Sequence, residues 1–331
     1  MPDYSELGGK LSDMRVLFID TVHPALRQGL ERAGFVCVEA SGWSREELLR
    51  QCGDAVGMVI RSRIRIDREL LDAAVALKFI ARAGAGMESI DVPYAEAKGV
   101  RCLNSPEGNR DAVGEHALGM LLMLLNNLGR ADRQVRSGEW QREANRGTEL
   151  GGKTVGLIGY GNMGGAFARK LVGFDCEVLA YDKYRKNYSD PYAKESDLFE
   201  LYESCDIVSL HVPLAPDTEY MVNAGFLDRF RKSIVLINTA RGKCVRTDDL
   251  VAAMKAGKVT GACLDVLEYE DLSFEKFDPR TAGFLDSDTW KYLAGSDRVV
   301  LSPHIAGWSF ESHERICKCL IIKILDIMNV S

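Results

Sequence analysis

The stretch KTVGLIGYGNMGGAFARKL, residues 153–171, carries the clearest structural signal in the chain. An apolar run, TVGLI, leads into spaced glycines and then into the helix-forming run AFARKL. Gly159 allows a tight turn, Gly161 lets an anion approach the backbone, and Gly164 lets the helix pack closely on the strand. The stretch therefore predicts a strand, a turn and a helix whose positive N-terminus faces an anionic ligand.

An acidic residue, Asp182, closes the next apolar run, CEVLAY, about 20 residues after the glycines. A carboxylate at this place binds both ribose hydroxyls and repels a 2′-phosphate. With Asn162 and Met163 in the turn, the pattern predicts a dinucleotide site that favours NAD over NADP. Three basic residues follow Asp182, and two interpretations stay open: they soften this preference or, as the pattern favours, they are solvated loop charges. They are Lys183, Arg185 and Lys186.

Short apolar runs alternate with amphipathic stretches on both sides of this unit. One alternation starts near residue 14 and the other at residue 153, and a long helical stretch over residues 111–137 separates them. Such alternation is typical of parallel strands with crossover helices. With 331 residues, 46% of them hydrophobic, the chain can bury two cores. The predicted fold class is α/β, with two Rossmann-like, doubly wound parallel-sheet domains.

Composition argues against several classes of partner. The net charge is −6 and the basic residues form no stripe, so nucleic acid is not expected. The longest uncharged apolar stretch, residues 117–129, is too short to span a membrane. Nine cysteines, an odd number and most of them in apolar runs, indicate reduced thiols in a cytoplasmic protein, and their spacing predicts no metal site.

Three candidate catalytic side chains follow predicted strands of the second half. Arg241 ends SIVLINTAR, Glu270 ends GACLDVLEYE, and His304 follows RVVLSP. Hydride removal from C2 of a hydroxy acid needs a base for the hydroxyl proton, a cation for the carboxylate and an acid that tunes the base. Arg, His and Glu meet these needs, and the planar fork of Arg suits a carboxylate.

Five strings in this order, GLIGYGNMG, HVPLAPDT, NTARG, GACLDVLEYE and SPHIAG, resemble the D-isomer-specific 2-hydroxyacid dehydrogenase family. The resemblance runs from about residue 14 to the final helix. It implies that Arg241 orients the substrate and polarises its carbonyl, and that His304 is the general acid/base. It also implies that Glu270 hydrogen-bonds His304 and favours its protonated form, and that Asp265 binds the nicotinamide carboxamide.

The same resemblance implies further cofactor contacts from two motifs. These residues are His211, Val212 and Pro213 of HVP, and Thr239 and Ala240 of NTA. The glutamate assignment stays open, because the family usually has proline after this glutamate, whereas Asp271 follows here. Glu268 is the alternative, since a period of two could place both acids on one face.

The family fold implies a discontinuous substrate domain, residues 1–110 with 306–331, and an NAD-binding domain, residues 111–305. The active cleft would lie between them, and the long helix would connect them. The resemblance also implies a homodimer that pairs through helical arms such as residues 130–138. A segment longer than usual, within residues 271–298, is a predicted surface insertion whose Phe274, Phe277 and Trp290 suggest a packed lid or partner contact.

Two loops of the first half are predicted to bind the substrate, a small 2-hydroxy or 2-oxo acid. Ala83, Gly84 and Ala85 would receive its carboxylate. The other loop, Arg61, Ser62 and Arg63, resembles the phosphate-binding loop of the phosphoglycerate dehydrogenase branch, which makes D-3-phosphoglycerate a candidate. Glyoxylate and hydroxypyruvate are equal alternatives, because R-S-R also recurs in relatives that use unphosphorylated acids.

Two rival functions remain. A non-catalytic NAD sensor like the family's corepressor branch would keep the same residues but lack turnover. A formate or phosphonate dehydrogenase would share the fold and differ in substrate.

Overall fold

A computed structural model describes residues 13–271 and 279–328 of the chain. The residues up to Asn109 and from Trp308 onward form one compact unit, and those of Arg110–Gly307 form a second. These limits lie one and two residues from the predicted domain boundaries. Phe274 and Phe277 fall outside the described residues.

The first unit is built on a parallel sheet, with strand order β2-β1-β3-β4-β5 in its described residues. Its strands are β1 (Arg15–Phe18), β2 (Val36–Glu39), β3 (Ala55–Ile60), β4 (Phe79–Arg82) and β5 (Arg101–Leu103). Its helices are α1 (Pro24–Arg32), α2 (Arg45–Gln51), α3 (Arg68–Ala73), α4 (Val92–Ala97) and α12 (Phe310–Ile327). The central strand β3 is buried along its whole length, because helices cover both faces of the sheet.

The second unit has a larger parallel sheet, ordered β12-β11-β10-β9-β6-β7-β8 in the described residues. Its strands are β6 (Thr154–Ile158), β7 (Glu177–Tyr181), β8 (Lys194–Glu195), β9 (Ile207–Leu210), β10 (Ile234–Asn238), β11 (Val259–Leu264) and β12 (Val299–Leu301). Its α-helices are α6 (Leu128–Arg136), α7 (Asn162–Lys170), α8 (Leu198–Ser204), α9 (Ala224–Asp228), α10 (Thr247–Lys255) and α11 (Asp288–Gly295). The described part of this unit also contains the 3₁₀ helices Glu143–Asn145, Gly242–Cys244 and Pro279–Asp286, and most of the helix α5 (Pro106–Leu125).

Both sheets are doubly wound, as predicted for the fold class. In the second unit the strand order reverses at β6, which lies between β9 and β7. A crevice opens at such a reversal, outside the carboxyl ends of the strands, and ligands bind there in α/β folds. The glycine turn after β6 and His211 after β9 lie on the two sides of this reversal.

The prediction of one long helix over residues 111–137 is wrong in detail. It begins earlier, as α5 (Pro106–Leu125), and α6 is a separate helix. Pro106 starts α5 because proline at the first helical position loses no hydrogen bond. Asn127 breaks the run with a φ of +53°, a left-handed conformation that asparagine tolerates better than most residues. The break was not predicted, because it lies inside an uncharged apolar stretch.

Candidate active site

The glycine turn between β6 and α7 has the geometry that its sequence predicts. Gly159 has a φ of +94°, and a Cβ there would lie 2.5 Å from the carbonyl oxygen of His211. A Cβ on Gly164 would lie 2.1 Å from the carbonyl oxygen of Gly159, so the helix can approach the turn only through glycine. A Cβ on Gly161 would meet nothing within 4 Å among the described residues. Gly161 therefore faces open space, where a ligand can approach the backbone.

The residues that follow the turn open helix α7. Asn162 and Met163 are its first two residues, and Gly161 is its N-cap. No side chain caps this end of the helix in the described structure. Its first backbone N–H groups therefore point towards the open space, and the positive end of the helix dipole lies there.

Asp182 lies directly after β7 and beside the glycine turn. Its carboxylate accepts hydrogen bonds from the backbone N–H groups of Tyr160 (2.9 Å), Tyr184 (3.0 Å) and Arg185 (3.1 Å). Burial alone would raise the pKa of this carboxyl, but these hydrogen bonds and the Arg185 charge outweigh burial and lower it. Asp182 is thus a fixed, ionised acceptor.

The basic residues after Asp182 have partners of their own. Lys183 forms an ion pair with Asp217 at 2.6 Å. Arg185 donates from Nη1 to the carbonyl oxygen of Tyr160. Lys183 is therefore drawn away from Asp182, whereas Arg185 stays next to it.

The HVP and NTA segments follow the neighbouring strands β9 and β10. The Nε2 atom of His211 lies 2.9 Å from Ser209 Oγ, and burial lowers the pKa of the His211 imidazole to about 3, so the ring is neutral. Val212 Cγ1 lies close to the position that a Cβ on Gly159 would occupy. Pro213 O accepts a hydrogen bond from Thr218 Oγ1, and Ala240 N donates one to Asn238 Oδ1.

Two polar atoms of these segments are buried without a hydrogen-bond partner among the described residues. They are His211 Nδ1 and Thr239 Oγ1. A buried polar atom without a partner is costly, so such atoms commonly await a ligand. Together with the open face of Gly161 and the fixed Asp182, they fit a dinucleotide.

His304 and Glu270 meet at the carboxyl edge of the same sheet. His304 Nδ1 lies 2.7 Å from Glu270 Oε2, while the other carboxylate oxygen of Glu270 accepts from Leu267 N. Glu268 points elsewhere: its Oε2 accepts from the backbone N–H and the hydroxyl of Thr247, at 2.8 and 2.9 Å. Of the two glutamates left open by the sequence, Glu270 is the one in contact with the histidine.

Asp265 anchors the loop that carries His304. Only 1% of Asp265 is exposed, and its carboxylate accepts from Ile305 N and Ala306 N, both at 2.9 Å, and from Ser302 Oγ at 2.6 Å. Burial acts to raise the pKa of this carboxyl, yet these bonds and His116 lower it. The structure thus places Asp265 in loop support, and its predicted contact with the nicotinamide carboxamide stays a prediction.

Sequence reasoning missed two members of this network. Ser302 Oγ lies 2.9 Å from His116 Nε2, and that same nitrogen is 3.4 Å from Asp265 Oδ1. Ser302 could have been found as the first residue of the SPHIAG string. His116 could not, because nothing in a helical sequence shows which residue faces a loop almost 190 positions later.

Arg241 lies three residues after β10, on the same edge as Asp265 after β11 and His304 after β12. These strands are paired neighbours, in register Asn238↔Leu264↔Leu301. The turn of Arg241 packs tightly on the turn of Glu270, since a Cβ on Gly242 would lie 1.9 Å from Leu267 O. Arg241 Nη1 donates to Ala240 O at 2.7 Å.

The two arginines of the first unit have different surroundings. The Arg63 guanidinium donates to the carbonyl oxygens of Ile19, Ala40 and Trp43 and pairs with the buried Asp20 at 3.4 Å. It is therefore part of the scaffold. Arg61 packs over the indole of Trp308 at 4.2 Å, and Ser62 lies between the arginines.

The predicted carboxylate loop follows the adjacent strand β4. Ala83 N donates to Ile60 O at 2.8 Å, and Gly84 adopts a φ of +154°. Gly84 O accepts from Ser105 N at 2.8 Å, and Ala85 O accepts from Asn104 Nδ2 at 2.6 Å. The loop is therefore held at each of its three residues.

Neither a membrane-spanning helix nor a metal-binding group of side chains is found in residues 13–271 and 279–328. None of the helices there has the length and apolar character needed to cross a bilayer. No three His, Cys, Asp or Glu side chains of these residues are grouped so that they could hold a metal ion.

A family profile described as D-isomer specific 2-hydroxyacid dehydrogenase, NAD binding domain, matches residues 118–306. The chain belongs to this family. The family resemblance, the doubly wound fold and NAD as the cofactor are thereby confirmed, and the chain is an NAD-dependent oxidoreductase of the family.

Individual relatives of this dehydrogenase cover most of its length. It is 36% identical over 314 residues to the glyoxylate reductase of Thermofilum pendens, a match that covers 92% of the chain and 88% of the relative. It is 33% identical to the D-3-phosphoglycerate dehydrogenase of Archaeoglobus fulgidus, over 96% of the chain but only 57% of that protein. The D-lactate dehydrogenase of Aquifex aeolicus, solved with NAD and lactic acid, superimposes with a TM-score of 0.79 at 27% identity, covering 95% of each chain.

Proposed function

We propose that this dehydrogenase reduces a small unphosphorylated 2-oxo acid, of the glyoxylate or hydroxypyruvate class, to the D-2-hydroxy acid, and catalyses the reverse oxidation. The observation that carries the proposal is the 2.7 Å contact between His304 Nδ1 and Glu270 Oε2, on the sheet edge that also bears Arg241. A histidine oriented by a carboxylate is an arrangement well suited to general acid/base catalysis.

Each of these side chains has a distinct task in the proposed reaction. NADH supplies the hydride that reaches C2. His304 gives the proton on Nε2 to the carbonyl oxygen, and Glu270 stabilises the imidazolium form through Nδ1. Arg241 binds the carboxylate with its planar fork and draws electron density from the carbonyl. One hydride and one proton convert the 2-oxo acid into the 2-hydroxy acid.

For the cofactor, we assign the pyrophosphate to the open face of Gly161, Asn162 and Met163 between Gly159 and Gly164, and the adenine ribose to Asp182. The orphaned His211 Nδ1 and Thr239 Oγ1 support a place for the cofactor beside them, with Val212, Pro213 and Ala240 as lining. Asp182 favours NAD because its ionised carboxylate repels a 2′-phosphate.

The choice of an unphosphorylated substrate rests on Arg63. A second arginine would strengthen a phosphate site, but the Arg63 guanidinium is bound by three backbone carbonyls and Asp20. Arg61 alone then serves the substrate, next to a carboxylate loop of Ala83, Gly84 and Ala85. The name of the Thermofilum pendens relative, a glyoxylate reductase matched over most of its length, agrees with this choice.

Substrate profiling tests the proposal. NADH oxidation is followed with glyoxylate, hydroxypyruvate, 3-phosphohydroxypyruvate and pyruvate, and kcat/KM is compared. We expect the highest value with glyoxylate or hydroxypyruvate. A higher value with the phosphorylated acid would instead assign the phosphoglycerate branch, and NADH binding without turnover on any acid would support the NAD-sensor alternative.

The two glutamates provide a matched pair for the acid/base assignment. Glu270→Gln should lower kcat for oxo-acid reduction and move the alkaline limb of its pH profile to lower pH, because a neutral amide no longer stabilises the imidazolium. Glu268→Gln makes the same chemical change two residues away and should leave that limb in place. The reverse pattern would show that the wrong carboxylate was assigned.

We also assign a homodimer built through α6. No residue of α6 is buried, and its surroundings expose apolar side chains: Leu128 is 55%, Val135 is 53% and Trp140 is 79% exposed. Such a patch commonly marks a protein interface. Sedimentation at micromolar concentration should give a dimer, and Leu128→Asp with Val135→Asp should give a monomer. A monomeric parent protein would contradict the assignment.

The proposed location is the cytoplasm. All nine cysteines are free thiols, five of them buried. Free thiols persist where the compartment is reducing. Fractionation of the source cells should recover the protein with the cytoplasmic fraction, and recovery outside the cytoplasm would contradict the assignment.

A further inference from the structure

An aromatic stack joins the inserted segment to the turn that carries Glu270. The ring of Tyr269 lies on the ring of Phe284, with centroids 3.5 Å apart and planes inclined by 22°. Phe284 comes from the 3₁₀ helix of the insertion and is 8% exposed. The ring of Trp290, in α11, lies 5.5 Å from the ring of Phe284. Tyr269 is the residue directly before Glu270.

The turn of residues 267–270 sets the direction of the Glu270 carboxylate. Glu270 N donates to Leu267 O at 3.2 Å, and Leu267 N donates to Glu270 Oε1. The second carboxylate oxygen, Oε2, is then directed at His304 Nδ1. A movement of this turn therefore moves the carboxylate oxygen that contacts the histidine.

Contacts with other segments hold this turn on both sides. On one side, Glu268 binds the first residue of α10, Thr247, through two hydrogen bonds. On the other side, Tyr269 stacks on Phe284. The anchors act on successive residues, 268 and 269, and the next residue is Glu270. The insertion thus supplies one of the supports of the turn that carries Glu270.

We propose that Phe284 is a positioning residue: its stack with Tyr269 holds Glu270 within hydrogen-bond distance of His304. This inference rests on the roles assigned above to His304 and Glu270. A charge-assisted hydrogen bond depends steeply on distance and angle, so a looser turn weakens it before the fold is lost. The insertion would then support catalysis through the ring of Tyr269, the residue before Glu270.

A pH profile separates positioning from packing. In the full-length protein, kcat for NADH-dependent glyoxylate reduction is measured against pH for Phe284→Leu, which removes the ring. We expect kcat to fall about threefold or more and the alkaline limb to move to lower pH by about half a unit, a fraction of the effect of a lost charge partner. The KM for NADH should not change.

Three variants serve as controls. Trp290→Leu removes a ring from the same cluster without touching Tyr269, so it should lower Tm and leave the pH profile unchanged. Phe284→Tyr keeps the stack and should retain the wild-type profile. Tyr269→Leu removes the other ring and should reproduce the shift of Phe284→Leu, which keeps the test open if one of the two variants does not fold.

The double variant of Phe284→Leu and Glu270→Gln tests whether Phe284 acts through Glu270. If Phe284 acts through Glu270, adding Phe284→Leu to Glu270→Gln should move the limb no further. If Phe284→Leu and Tyr269→Leu lower only Tm while Glu270→Gln moves the limb, the positioning role is refuted and the acid/base assignment stands. If Glu270→Gln also leaves the limb in place, both are refuted.

Discussion

Two glycines of one turn, Gly161 and Gly164, should respond in opposite ways to the same added methyl group. At Gly164 a Cβ would lie 2.1 Å from the carbonyl oxygen of Gly159, and both partners are backbone. Neither can rotate away, so the strand or the helix must shift. At Gly161 the Cβ would meet nothing within 4 Å among the described residues. Only the substitution at Gly164 should therefore lower the stability of the cofactor-free protein.

The size of each effect follows from this geometry. Overpacking that forces a backbone shift costs about 1–3 kcal/mol, so Gly164→Ala should lower Tm by roughly 2–12 °C for a unit of this size. Gly161→Ala should leave the Tm of the cofactor-free protein unchanged or slightly raised, because alanine restricts the unfolded chain. Its methyl group would occupy the approach of the pyrophosphate and raise the Kd for NADH about tenfold or more.

Calorimetry without nucleotide and titration with NADH measure the two effects separately. The wild-type protein and both alanine variants are compared under the same conditions. A Tm for cofactor-free Gly161→Ala as low as that of Gly164→Ala, together with an unchanged Kd for NADH, would refute the assignment of the open space to the cofactor.

Other substitutions test the remaining site residues. Asp182→Ala should weaken NADH binding and narrow the preference for NADH over NADPH in steady-state kinetics. Kinetic constants that stay at their wild-type values with both NADH and NADPH would contradict the assignment of Asp182 to the cofactor site. His304→Asn should lower kcat by roughly a hundredfold while NADH binding is kept, and Arg241→Lys should raise KM for the oxo acid and lower kcat. Asp265→Asn should lower Tm at neutral pH. Because folding lowers the pKa of Asp265, its stabilisation is present above the ordinary value of 3.8 and disappears as pH falls below it, so the Tm difference from wild type should shrink in acid.

The features that could be predicted from sequence are those set by local patterns. The glycine spacing, the apolar strands and their alternation with helices follow from residues close together in the chain, and the structure repeats them at residues 153–171. The break at Asn127 was missed because an apolar stretch with two asparagines fits one helix or two equally well. Whether one helix or two form depends on the left-handed backbone conformation of a single residue, Asn127.

The choice between Glu268 and Glu270 could not be made from sequence for a different reason. A period of two places both on one face only if the segment is an extended strand. Residues 267–270 form a turn instead, and Glu268 binds Thr247, twenty-one positions earlier. Arg63 is similar: its motif suggests a ligand site, but the carbonyl groups that bind it come from other segments of the fold.

The backbone of His304 depends on contacts with residues that are distant in sequence. Its φ of +55° is unfavourable for a residue with a side chain and costs about 1–3 kcal/mol. The cost is offset locally: His304 N donates to Asp265 O at 2.7 Å, and the Asp265 carboxylate binds the next two backbone N–H groups. Asp265 N in turn donates to Asn238 O, at the end of the strand that leads to Arg241. The motifs are far apart in sequence, yet His304 and Arg241, the proposed acid/base and the proposed carboxylate ligand, are connected by one continuous set of hydrogen bonds across three neighbouring strands. A change at Asp265 should therefore act on the geometry of the whole edge, even where it leaves the sheet intact.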